Sequence, residues 1–451
     1  MTTLDSFAPP RVVNRPFRHA RFPVLLALGL ALASAGCTPT CPPDFRPVEL
    51  PELMVGLSQT PPTLVPLANE LGVRYARPTL AWREIEPTVA PLGLTVAELR
   101  AHPEWIDDYI ASRNWSSFDA ELGGMIAGGV IPVPIVGHGY VGALPRMEGS
   151  PDQPADPDHL GREEYLARIY RAARATVERY DHDGHLDAPG GLDVRYWQTE
   201  NELNQAFLTA LWGWRSPSLL EALGSAWQDF SFVSQILSTL RLAVKDADAT
   251  ALTTMNFHTD ISDELMKFVL QPTWMESVVS WRMQMDFLGV DAYPNYYRAT
   301  PVNGAAVGER VARVAGESCG MPIVVVETGY PTGPSVEGFG ETEQADYVQT
   351  AFDGAIAAGA RGFFLFGTQT AEQSNVEITP EDLANLELVA DAYENGDVGA
   401  LLNFLLFNVD YIESHFVYVL QAVEPFWGLV RADGSHKPAW DTYAAIAAAA
   451  H

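Results

Sequence analysis

Eight short apolar runs rich in β-branched and aromatic residues punctuate the chain, and helical periodicities separate most of them. They are LMVGLS (53–58), VRYARP (73–78), VIPVPIVG (130–137), DVRYWQ (193–198), ATALTTMN (249–256), MDFLGVDAY (285–293), PIVVVE (322–327) and GFFLFG (362–367). Unbroken stretches such as IVVV suit parallel strands covered on both faces. PPTLVPLANELGV after the first run and FDAELGGMIAGG before the third read as helices. Eight alternating units predict a closed (β/α)8 TIM barrel. An open doubly wound sheet would want a Gly-rich phosphate turn after its first strand, and VGLSQTPP is not one. Between GFFLFG and WGLVRADGSHKPAW lies PEDLANLELVADAYENGDVGALLNFLLF, which reads as two helices. It predicts an α-helical insertion after the eighth strand, over about 369–424, on the side where a barrel carries its chemistry. A competing reading makes HFVYVLQ (415–421) the eighth strand.

The N-terminus follows a different pattern. Arg11, Arg15, Arg18 and Arg21 precede VLLALGLALA and then SAGC, which is an export signal over residues 1–36. Two processing routes fit. SAGC is close to a lipobox with Cys37 as the lipidated residue, although Ser34 stands where that pattern usually has Leu. Ala33-Ser34-Ala35 offers a site for ordinary secretion instead. Residues 37–50 are a Pro-rich tether, and 51–451 the catalytic domain. The expected location is therefore the cell envelope, as a lipoprotein, or the extracellular space. Cys37, Cys41 and Cys319 are the three cysteines; with Cys37 lipidated, Cys41 and Cys319 either pair or stay free.

The full chain carries a net charge of −29, and without residues 1–36 it has 24 basic and 56 acidic residues, a net of −32. Such a surface repels nucleic acid and anionic membranes. The expected partner is a carbohydrate, with membrane contact only through a lipid on Cys37, a monomeric state, no cofactor and no metal. C-x-x-C and His-x-His pairs are missing from the sequence.

The fourth run leads into TENE and the seventh into ETGYPT. In a barrel these strand ends lie at the C-terminal face on opposite sides of one cleft. Two carboxylates there are the equipment for glycoside hydrolysis, one protonating the leaving oxygen and one attacking the anomeric carbon. Alternation along PIVVVE puts Ile323, Val325 and Glu327 on one face. With Val324 and Val326 against the helices, Glu327 would point into the mouth. Glu200 and Glu202 share a face, so either could be its partner.

TENE together with VVVETGYP resembles the clan A glycoside hydrolases, retaining β-glycosidases on (β/α)8 barrels. The resemblance implies Glu202 as acid/base, Glu327 as nucleophile and Asn201 as the residue holding the sugar 2-hydroxyl. It places Arg77, in VRYARPTLAWREIEP, and Tyr293, in GVDAYPNYY, beside the nucleophile. WGLVRADGSHKPAWDTY resembles the tail that re-enters after the eighth strand. Asp291 stands where several families have His, and Phe366 or Gly367 replaces the expected eighth-strand Trp. ETGYP and DAYP are similar to families cutting β-linked galactans and β-1,3-glucans. His138, His258 and Trp82 are further substrate-contact candidates, and Trp197, Trp212, Trp214 and Trp427 join Trp82 as possible sugar platforms. Trp197, of opposite parity to Glu202, is expected against the helices. Glu202 is expected to keep its proton because Glu327 lies close by, and Glu200 to support Asn201 and Glu202. Two other readings are a non-catalytic glycan-binding lipoprotein on the same barrel and a metal-dependent hydrolase using His138, His258 and Asp291.

Overall fold

A computed structural model describes residues 41–58, 62–296, 298, 300–333, 339–367, 376–422 and 424–450; Cys37 and the export signal lie outside them. All eight apolar runs contain strand. One parallel sheet has seven strands in the spatial order Asn256–His258, Leu288–Asp291, Ile323–Glu327, Gly362–Phe366, Met54–Ser58, Tyr75–Arg77 and Ile131–Pro132. A second holds Ile135–Val136, Tyr196–Thr199 and Leu252–Thr254, also parallel. The third run is thus divided between the sheets at Val133 and Pro134, and the fifth at Met255. Pro132 and Pro134 have no N–H to give the ladder, which accounts for the first break. Bonding continues across it, with Val133 N–H donating to Ala76 O at 2.8 Å and Gln198 N–H to Pro134 O at 2.9 Å. A small third sheet, Thr88–Val89, Arg146–Met147 and Ser150–Pro154, was not foreseen.

Alternate strand residues serve two cores. Met54, Tyr75, Val133, Tyr196, Val324, Val326 and Phe364 pack on one another and on Leu50. Val55, Ala76, Trp197, Ile323, Val325 and Phe363 pack with the helices. Trp197 therefore faces the helices as expected, but the assignment along PIVVVE is reversed: Ile323 and Val325 meet the helices, and Val324 and Val326 do not. Glu327 reaches the polar strand end through a bulge. Val290 pairs with Val325 while the next residue, Asp291, pairs with Glu327, so Val326 is an extra residue that shifts the phase of the strand.

PEDL…LLF forms the two helices Pro380–Asn395 and Val398–Phe407, and 415–421 is helical rather than an eighth strand. These helices build a separate apolar cluster with Leu208, Trp212, Ile261, Leu265 and Met266, which follow the strands Tyr196–Thr199 and Asn256–His258. The last helix, Pro438–Ala450, is tied to the sheet by Tyr443, whose hydroxyl lies 2.6 Å from Gly56 O and 2.8 Å from Phe363 O. Cys41 and Cys319 form a disulfide. It fastens the start of the described chain to the turn before Ile323–Glu327, at the end of that strand opposite Glu327.

Candidate active site

The strand Tyr196–Thr199 stops where TENE begins, and both glutamates adopt left-handed backbone, φ 66° at Glu200 and 47° at Glu202. Non-glycine residues populate that region only when surrounding contacts impose it. For Glu200 the contacts are an ion pair with Arg215 at 2.7 and 3.1 Å and the Gly139 N–H at 2.7 Å. Both side chains of the pair are fully buried. Arg215 also lies over the rings of Tyr140 and Trp227, at 4.8 and 4.9 Å. Glu200 is thus a structural bracket committed to Arg215 and Gly139, whereas Glu202 is bonded to His258 and Tyr140. Glu200→Gln should cost about 3–5 kcal/mol of stability, because it strands Arg215 without its counter-charge. Chemical denaturation measures this, and an unchanged midpoint would refute the bracket.

Glu202 is held from three sides. Its Oε1 lies 2.8 Å from His258 Nδ1, its Oε2 accepts from Tyr140 at 3.1 Å, and its backbone N–H donates to Asn256 Oδ1 at 3.0 Å. Burial pushes the Glu202 carboxyl up, but the hydrogen bond and charge of His258, with Tyr140 and Gln205, hold it below the ordinary glutamate range. Burial works against a charged His258, yet Glu202 raises its pKa overall. These directions run against the expectation that Glu202 keeps its own proton. Both directions favour a carboxylate on Glu202 and an imidazolium on His258 in the free protein.

Glu327 meets a full positive charge. Arg77 forms an ion pair with Oε1, and the Tyr293 hydroxyl donates to Oε2 at 2.6 Å. Charge-assisted bonds of this kind favour the carboxylate. Arg77 is fully buried and also donates to Ser58 Oγ at 3.2 Å, Gln198 Oε1 at 2.9 Å and Asn201 Oδ1 at 3.3 Å. Through Asn201 it links the two glutamates. Asn256 ties the same layer together, donating to Asn201 Oδ1 at 2.7 Å and to Asp291. Arg77 and Tyr293 therefore both contact Glu327, and Asn201 lies between Arg77 and Glu202. Tyr140, Gln198, Asn256 and Arg215 were missed.

Comparisons with known proteins were made on sequence and on structure. No family model matches the chain, and no curated protein does. Solved structures do match. GH5_18 from Streptomyces cattleya in complex with GlcNAc is 12% identical, aligns over 88% of this chain and 80% of its own, and has a TM-score of 0.54. The exo-β-1,4-mannosidase Op5Man5 from Opitutaceae bacterium strain TAV5 is 14% identical over 88% of this chain, with a TM-score of 0.52. The present chain spans 59% of that mannosidase's length. The β-glycosidase BGL167 is 16% identical over 86% of this chain and 85% of its own, with a TM-score of 0.51. The chain shares its fold with these three solved structures.

Within this fold the two departures noted in the sequence acquire a structure. Asp291 is fully buried; burial first, and then the nearby charge of Glu202, hold its pKa well above the aspartate range, and its Oδ2 accepts from Asn256. Beside Phe366, Trp427 from the re-entering tail fills the space, 5.0 Å away ring to ring. Trp427 stacks on Tyr293 at 4.9 Å and is 3% exposed, so it backs Tyr293 instead of offering a face to a sugar. Trp214 is half-buried, packs with Tyr293, Tyr296 and Trp427, and stacks on Tyr140 at 5.9 Å. Among the five tryptophans it is the one that borders the site and keeps exposed surface. Trp212 is buried with its Nε1 on the Tyr393 hydroxyl.

His138 packs on Tyr140 at 4.2 Å. Burial, with Arg215 and Arg77, pushes its pKa down to about 3, which leaves a neutral ring whose buried Nδ1 has no partner among the described residues. Trp82 is not brought to the glutamates by any described contact. Its Nε1 donates to Glu86 at 3.0 Å, and the ring belongs to the main core. His138, His258 and Asp291 do not converge as metal ligands; among the described residues the set with that spacing is Glu178, Asp181 and Asp183.

Proposed function

We propose that the protein is a retaining glycoside hydrolase that cleaves a β-linked oligo- or polysaccharide by double displacement on a closed (β/α)8 barrel, with the helices of 376–422 as an insertion after strand eight. The observation that carries this reading is the pair Glu202 and Glu327, at the ends of the fourth and seventh strands, joined through Asn201 and Arg77 but held in opposite surroundings. Glu327, fixed as an anion by Arg77 and Tyr293, attacks the anomeric carbon. Glu202 passes a proton to the leaving oxygen, and the glycosyl ester forms on Glu327. Glu202 then takes a proton from water, which cleaves the ester with net retention. The Glu202–His258 pair holds the one proton that this cycle needs. As substrate displaces water, transfer across the 2.8 Å contact gives a neutral Glu202 and a neutral His258. Asn201 Nδ2 makes only long bonds, 3.3 Å to Tyr140 and 3.4 Å to Glu202, and is placed to donate to a sugar hydroxyl. No step calls for a metal or cofactor. The test is a panel of β-galactans, β-1,3-glucans, β-mannans and β-1,4-glucans with product analysis. Release of sugars that disappears in the Glu327 and Glu202 variants supports the reading, and binding without cleavage would make this a glycan-binding protein.

Export belongs to the same proposal, with a lipid on Cys37 as the membrane attachment. The Cys41–Cys319 disulfide supports an oxidising compartment. Cys37→Ser should move the protein from membrane to soluble fractions; a wild-type protein already soluble would contradict lipidation.

A further inference from the structure

We propose that the cleft accepts only sugar units free of carboxylate and sulfate groups, and that Glu424, a third carboxyl beside the two catalytic ones, enforces this selection. The inference rests on the glycosidase reading and narrows its substrate class. The first observation is how the surrounding cations are used. Arg77 is engaged by Glu327, His258 by Glu202, Arg215 by Glu200, Arg310 by Asp260 at 3.1 Å, and Arg298 by Glu394. Each of these five cations already has its carboxylate, and Lys437, beneath the Glu424 turn, is buried and donates to Thr332 Oγ1 at 2.8 Å and Phe426 O at 3.1 Å. None of these five is free to meet an anionic substituent.

The second observation is the placement of Glu424. Its Oε1 accepts the Tyr296 hydroxyl at 2.5 Å. Tyr296 stands edge-on to Tyr293 at 5.8 Å, and Tyr293 donates to Glu327. Two aromatic rings therefore separate Glu424 from the nucleophile. Its own turn is fixed from below: Phe426 O accepts from Thr332 Oγ1 at 3.0 Å and Lys437 Nζ at 3.1 Å, and Trp427 O accepts from Gln344 at 3.0 Å. A recognition group needs such a rigid base to hold its geometry. Glu424 is only partly exposed, and its Oε2 has no partner among the described residues. Burial first, and then the charge of Glu202, raise its pKa to about 7, against the Tyr296 hydrogen bond. A hydroxyl or ammonium on the ligand can donate to Oε2. A carboxylate or sulfate would instead meet two or three like charges, which rejects it without any steric clash.

The experiment compares 4-nitrophenyl β-glucoside, β-galactoside and β-mannoside with the corresponding uronides, in which a carboxylate replaces the C6 hydroxymethyl group. For each sugar that is turned over, kcat/KM for the uronide should be about a hundredfold lower. Glu424→Gln should narrow that gap about tenfold, and raising the salt concentration should narrow it in the wild type, which needs no variant to fold. A uronide cleaved as fast as its neutral counterpart overturns the selection while leaving the glycosidase reading intact. A gap that neither Glu424→Gln nor salt alters removes Glu424 from the proposal. Failure on all the glycosides and on the polysaccharide panel refutes the glycosidase reading, and this one with it.

Discussion

Glu327→Ala should lower kcat by about 10⁴-fold or more on every substrate, since the covalent step has no other nucleophile. The loss should be much the same for good and poor leaving groups. The substitution also leaves Arg77 buried without its counter-ion, although Asn201, Gln198 and Ser58 still bind it. Folding is therefore checked alongside the rate. Glu327→Gln keeps the shape and a hydrogen-bond acceptor for Tyr293, and it should be as inactive as the alanine variant. A glutamine variant retaining more than about a hundredth of the activity would show that Glu327 only positions Arg77.

Glu202→Ala should divide substrates by leaving group. General acid assistance contributes about 10²–10⁴-fold, and it matters most where the departing oxygen is basic. Polysaccharide cleavage should fall by that factor, while an aryl glycoside with an acidic phenol should lose far less in its first step. The pH profile carries a second signature. Glu202 raises the pKa of His258, so the pair keeps its proton to higher pH than a free histidine would. Wild-type kcat/KM should therefore fall on the alkaline side, as His258 loses that proton. In Glu202→Ala the alkaline limb should vanish, because the remaining imidazole no longer supplies the leaving group through a carboxyl. An alkaline limb that persists unchanged would assign that titration elsewhere.

How far the sequence could be read depended on how local each cause is. Runs such as IVVV and GFFLF announce buried parallel strands by themselves, and all eight were legible. The hairpin around Arg146–Met147 and Ser150–Pro154 was not, because SPDQP has neither apolar period nor β-branched residues. Parity along PIVVVE failed at a bulge, which is a property of the partner strand as much as of the run. The glutamates and Asn201 were visible in a contiguous motif. Arg215, Asn256 and Glu424 were not, since each acquires its role from residues distant in the chain. The influence of His258 on Glu202 was missed for the same reason. Glu327 was weighed as its neighbour, whereas the imidazole that sets its charge lies 56 residues downstream at His258. Trp82, in a promising strand-end position, went to Glu86 in the core, and Trp427 took up the region of a missing strand-eight tryptophan.

The division of labour between the two glutamates is tested most directly by adding azide to both alanine variants and determining the anomeric configuration of the glycosyl azides by proton NMR. In Glu327→Ala, azide enters the vacated space from the nucleophile's face and should give the α-glycosyl azide, inverted relative to the β-linked substrate. In Glu202→Ala, the glycosyl ester still forms on Glu327, and azide should displace it to give the β-azide, with net retention. The same configuration from both variants, or rescue of neither, would contradict double displacement by Glu202 and Glu327.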